Sequence, residues 1–221
     1  MALLAVSGAS GKTGWRVVQE ALQRGWQVRA LVRPGSVLPE GLEGAEIIRL
    51  DLAQTESLHR ALEGCQALVI ATGARPSIDL TGPMKVDALG VRTQLMAARA
   101  VGLERVVLVS SLCAGRWRHP LNLFGLILVW KGLGERWLAR SGLRWTIVRP
   151  GGLSEREQGV EQEGLRLSRA GEQQSRSIPR RLVARLCLEA LAEPASEGRI
   201  LEVTSDPALP VISLAQGLAA T

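Results

Sequence analysis

The chain has 221 residues, 46% of them hydrophobic and 22% charged, the balance of an ordinary soluble globule long enough for one α/β domain with a proper core. Against 21 acids stand 27 lysines and arginines, a formal net charge of +6. Lysines occur only at Lys12, Lys85 and Lys131, the arginines are spread along the chain, and the tryptophans sit among apolar residues, which argues against a nucleic-acid partner. Cys65, Cys113 and Cys187 are far apart, and His59 and His119 stand alone. Neither a metal site nor a disulfide framework is therefore expected. No charged-then-apolar leader precedes the first strand, and the longest apolar run, Leu121 to Trp130, is broken by Asn122 and Gly125. A cytoplasmic protein with no transmembrane segment is the expectation.

In chain order, Leu3 to Val6 is too short for a helix and reads as a buried strand. Glycines follow at Gly8, Gly11 and Gly14, and Val17, Val18, Ala21 and Leu22 then recur at helical spacing up to Gly25. Gly8 would permit a sharp turn, and Gly11 would let backbone N–H groups reach a pyrophosphate. Gly14 would let the helix pack tightly on the strand, with its positive N-terminal end near the anion. The spacing is G-x-x-G-x-x-G, with Ser10, Lys12 and Thr13 inside it. A triphosphate-binding loop would need glycine five residues before Gly11, where Val6 stands. Dinucleotide binding is the expectation, with a purely structural glycine turn as the alternative.

A second strand, 27–32, ends at Arg33-Pro34-Gly35-Ser36. An acid at that position would hold the adenosine ribose hydroxyls and repel a 2′-phosphate. Arg33, with Ser36 and Lys12 nearby, instead favours NADP(H) over NAD(H). A third strand, 46–50, leads to Asp51-Leu52. Leu52 is suited to pack on adenine, while Asp51 either meets the adenine edge or only shapes the next turn. A fourth strand, 67–70, runs into Ala71-Thr72-Gly73-Ala74-Arg75-Pro76, a small-residue end facing the cofactor from across the switch point.

Residues 77–83 read as loop and 86–101 as helix. The strand 105–109 terminates in Ser110 and Ser111, where substrate should sit. A long apolar helix from Pro120 to about Ser141 carries Lys131, and the strand 144–149 stops at Pro150-Gly151-Gly152. The Glu-, Gln-, Arg- and Ser-rich segment 154–177 reads as a mobile lid. Helix 179–191 and strand 199–204 complete a single Rossmann-type, doubly wound parallel sheet with helices on both faces.

These stretches, together with Ser141-Gly142-Leu143 and the run from Thr146 to Gly152, resemble the atypical short-chain dehydrogenase/reductases. The likeness is to the NmrA-like and biliverdin reductase B-like part of that superfamily, and within it to a cyanobacterial and chloroplast group. The resemblance implies that Gly8, Ser10, Lys12, Thr13 and Arg33 hold the cofactor phosphates and that Asp51 and Leu52 meet adenine. It implies that Ala71, Thr72, Gly73 and Lys131 line the nicotinamide ribose, with Pro150, Gly151, Gly152 and Leu153 against the carboxamide. Standard members use a Tyr-x-x-x-Lys pair. With Lys131 as the lysine, Ile127 stands at the tyrosine position, and the chain contains no tyrosine at all.

Carbonyl reduction with a tyrosine acid is thereby excluded. Lys131 either snorkels from its helix or orients the ribose and stabilises a developing anion, with Ser110, Ser111 or water as proton source and Cys113 as a remote one. The expected activity is hydride transfer from NADPH to a small-molecule acceptor that needs little acid help: a quinone, a flavin or a conjugated tetrapyrrole. The alternative is a non-catalytic NADP(H)-binding redox sensor or assembly factor. The run Leu121 to Trp130 is expected to be substrate-side wall and core, or else a contact with a membrane surface or another protein.

Overall fold

A computed structural model describes residues 2–74, 79–173 and 176–220. Its centre is an eight-stranded sheet built by alternation of short apolar runs with amphipathic helices. β1 (Leu3–Ser7), β2 (Gln27–Val32), β3 (Glu46–Arg49) and β4 (Ala67–Ile70) lie beside β5 (Arg105–Val109), β6 (Arg144–Pro150) and β10 (Arg199–Asp206) in the order β3-β2-β1-β4-β5-β6-β10. All of these pair in parallel. β4 and β5 are buried along their whole length, as expected of parallel strands covered on both faces.

On one face lie α1 (Gly14–Gln23) and α5 (Arg180–Ala192), and on the other α2 (Thr55–Leu62), α3 (Val91–Ala100) and α4 (Ile127–Ala139). α1 turns Val17, Val18 and Ala21 to the sheet with no solvent exposure, and each valine contributes about 1.5–3 kcal/mol of apolar burial. The order in which strands are added reverses at β1, with β2 on one side and β4 on the other. A crevice therefore opens at the carboxyl ends of β1 and β4.

Three local features differ from the sequence expectation. The polar segment 154–177 contains β8 (Gly164–Ser168), which pairs antiparallel with β10 at the sheet edge, Val203 facing Leu167. Leu165 and Leu167 alternate inward onto the core, a two-residue signal submerged in polar composition. The helix expected from Pro120 is two pieces. A 3₁₀ turn at Pro120–Leu123 is separated from α4 by Phe124, Gly125 and Leu126, the last two left-handed at φ 74° and 57°. The helix expected from Val86 starts earlier, at Met84, and runs as a wide π segment to Gly90 before α3 begins. Such segments often sit at functional sites.

Candidate functional site

The glycine turn behaves as its spacing implies. Gly8 has φ +76°, and a side chain there would come within 2.9 Å of the Ala71 carbonyl and the Thr72 nitrogen. A Cβ on Gly14 would lie 2.1 Å from the Gly8 carbonyl oxygen, so β1, the end of β4 and the start of α1 meet only because these side chains are missing. Beside them opens a cleft of about 390 Å³. Of the sequence candidates, Gly8, Ser10, Gly11, Arg33, Leu52, Ala71, Thr72 and Gly73 line it.

Three buried hydroxyls at the ends of adjacent strands, Ser7, Thr72 and Ser110, have no hydrogen-bond partner among the described residues. Buried polar groups are rarely left so without a ligand or water to satisfy them. Together with the glycine cradle and the N-terminal end of α1, they fit a dinucleotide lying across the switch point.

Other candidates stand around the cleft without lining it. Lys12 is ion-paired to Glu155, whose carboxyl is held below the usual glutamate range chiefly by that hydrogen bond. The Thr13 hydroxyl accepts from Arg180 Nη1 at 3.0 Å. Glu157 bridges Arg16 and Arg181; burial pushes its carboxyl up, but the two arginines outweigh this and hold it low. Residues 155–157 thus reach back to α1 and the last residues of the glycine turn. The Asp51 carboxylate accepts from the Ala53 nitrogen at 3.0 Å, the turn-shaping role left open above. Leu112 donates to the Pro150 carbonyl at 3.1 Å, which sets Pro150 beside the buried Ser110 and half-buried Ser111. Gly152 and Leu153 belong to β7 (Gly152–Ser154), a small ribbon with β9 (Ser177–Pro179), and Gly151 lies between that ribbon and β6. Arg75 and Pro76 lie outside the described residues.

The most informative placement is that of Lys131. Its Nζ lies 2.7 Å from Oδ1 of Asp87, which is only 3% exposed, while Oδ2 accepts from the Ala74 nitrogen at 3.1 Å. A Cβ on Gly73 would be 3.8 Å from both Lys131 Nζ and Asp87 Oδ1. The pair therefore stands at the wall of the cleft, and the half-buried ammonium is aimed rather than free. Asp87 comes from the π segment, and sequence reasoning missed it: an acid 44 residues away carries no local signal. It also missed Arg49, whose Nη1 donates to the Ser36 carbonyl at 3.0 Å, and Arg180. The register pairing of Val32 with Arg49 is the signal that would have placed Arg49 next to Arg33.

Comparison with known proteins agrees with this geometry. The NAD(P)H-binding family model matches residues 8–194. The chain belongs to the NAD(P)H-binding family. Within it, the atypical short-chain dehydrogenase/reductase, NmrA-like group fits the relatives found. An uncharacterised chloroplast protein of Arabidopsis thaliana is 35% identical over 90% of this chain and 75% of its own. The sanguinarine reductase of Eschscholzia californica is 32% identical over 70% of this chain and 71% of its own. Among solved structures, a putative NAD-dependent epimerase/dehydratase from Bacillus halodurans superposes with a TM-score of 0.86, at 28% identity and covering all of both chains. This NAD(P)H-binding protein is thus of an oxidoreductase family.

Proposed function

We propose that this chain is an NADPH-dependent reductase that delivers hydride to a quinone, a flavin or another conjugated acceptor without a tyrosine acid. The observation that carries the reading is the Lys131–Asp87 pair at the cleft wall, with Ile127 one turn earlier on the same helix where a tyrosine would stand. A relative named as a sanguinarine reductase supports reduction of a small-molecule acceptor.

The bound nicotinamide supplies the hydride; everything else falls to the protein. The backbone at Gly8 and Gly11 and the α1 N-terminus receive the pyrophosphate. Exposed Arg33, with Arg49 beside Ser36, offers guanidinium groups to a 2′-phosphate, the basis of a preference for NADP(H). Asp87 fixes the Lys131 ammonium, which orients the ribose and lends positive charge where the acceptor gathers negative charge. Conjugated acceptors spread that charge and take their proton from water or from the unpartnered Ser110 hydroxyl. The segment 153–178, through Glu155 and Glu157, would cover the pyrophosphate end of the site.

The test is NADPH oxidation followed by absorbance with quinones, flavins and bilins, alongside calorimetric binding of NADPH and NADH. Lys131→Ala should lower turnover about 10²-fold or more while leaving NADPH affinity within a few-fold. Tight NADPH binding with no turnover on any acceptor would replace this reading by the redox sensor.

A further inference from the structure

Beside the cleft mouth, the loop 116–126 turns its apolar side chains outward. Trp117 is 70% exposed, Leu123 82% and Phe124 59%, and Leu121, Leu126 and Leu80 are exposed with them. The sites are contiguous: a Cβ on Gly125 would meet the Leu80 carbonyl oxygen at 2.4 Å, and the loop holding Leu80 lines the cleft through Asp79 and Gly82. The outward display is built in. Buried Asn122 donates to the carbonyls of Arg116 at 2.8 Å and Trp117 at 2.9 Å, and accepts from the Leu128 nitrogen at 3.0 Å. One amide side chain thus satisfies the backbone of the loop while the large apolar groups point away from it. Leu126 is held left-handed, a conformation that costs a branched side chain energy and persists where surroundings impose it.

The charge within the loop is of one sign, and Asp79, the acid next to Leu80, is already paired with Lys85 at 3.3 Å. Arg116 and Arg118 are exposed in the loop, and residues 105–134 contain no aspartate or glutamate. An isologous contact with a second copy would bring these arginines against their own kind with no acid from this stretch to pair them. Exposed Trp, Phe and Leu tips rimmed by arginine suit a bilayer interface, where rings sit at headgroup level and guanidinium groups meet anionic lipid.

We propose that the 116–126 loop docks this protein on an anionic lipid surface, with Trp117, Leu123 and Phe124 entering the interface and Arg116 and Arg118 on the headgroups. No helix among the described residues is long and apolar enough to cross a membrane, so this is a peripheral contact. The proposal is independent of the reductase reading and is tested on the cofactor-free chain.

The experiment is co-sedimentation with vesicles of phosphatidylcholine alone and of equal parts phosphatidylcholine and phosphatidylglycerol. Binding to the mixed vesicles only, weakened by salt, is expected. Trp117→Ser with Phe124→Ser should reduce partitioning about tenfold or more, and Arg116→Gln and Arg118→Gln roughly fivefold each. Quenching of wild-type tryptophan fluorescence by brominated lipid checks insertion without any mutation. Equal binding to both vesicle types, no binding, or retention by the serine variant would overturn the proposal. So would a dimer in sedimentation velocity that the serine variant dissolves, which would name a second copy as the occupant.

Discussion

The two halves of the sheet are built on different principles. Around β1, β4 and α1 the site is made of absences: glycines at Gly8 and Gly14 let backbone approach backbone at distances no side chain would allow. Around β6, β10 and α4 the structure is instead held by buried charge. There Arg149 is paired with Glu135 at 2.7 Å and Glu202 at 3.2 Å, and Lys131 with Asp87. Backbone proximity is intolerant of any added atom, whereas side-chain pairs define where a charge points and tolerate exchange at a graded cost. The first half is suited to holding a ligand common to a whole family, the second to setting what is done with it.

That contrast can be broken most severely at Gly14. Gly14→Ala places a methyl 2.1 Å from the Gly8 carbonyl oxygen. It should abolish NADPH binding by calorimetry and lower stability to urea by about 1–3 kcal/mol or more. A smaller effect is expected from Arg33→Asp, which would replace the proposed phosphate partner by a like charge. NADPH affinity should fall about ten- to hundredfold while NADH is held or gained, and an unchanged ratio would remove Arg33 from the site.

The smallest effect belongs to the contact between the halves. Glu155→Gln releases Lys12 from an exposed pair, so NADPH should bind about two- to fivefold more tightly. The same contact has a pH sign. Glu155 and Glu157 have depressed pKa values, so the stabilisation is full above the usual carboxylate range and lost as pH falls below it through their lowered folded-state values. Limited proteolysis between residues 155 and 163 should therefore quicken in acid; equal rates in neutral and acid buffer would show that the glutamates do not hold the segment.

How far sequence reaches follows the same division. The seven parallel strands, the turn at Gly8 and the tight seat at Gly14 are legible because a buried strand and a glycine each announce themselves within a few residues. Asp87, Arg49 and Arg180 are not, since their roles arise only when segments far apart in the chain are brought together. The edge strand β8 was hidden for another reason. Only Leu165 and Leu167 carry its alternation, and charged neighbours on a solvated edge outweigh them in any composition window. The break before α4 was missed because Leu126 adopts a left-handed backbone that its side chain gives no reason to expect.

The Arg149 cluster has a consequence for heat. Glu202 accepts not only from Arg149 but from the backbone nitrogens of Gly171 at 2.8 Å and Gln173 at 3.0 Å. The helix bearing Lys131, the strand β10 and the turn beyond β8 are thereby tied through one set of charges with little access to water. The cost of keeping charges out of water shrinks as temperature rises, whereas apolar burial gains little more. The joint between the lysine helix and the sheet is therefore of the kind whose cost falls on warming.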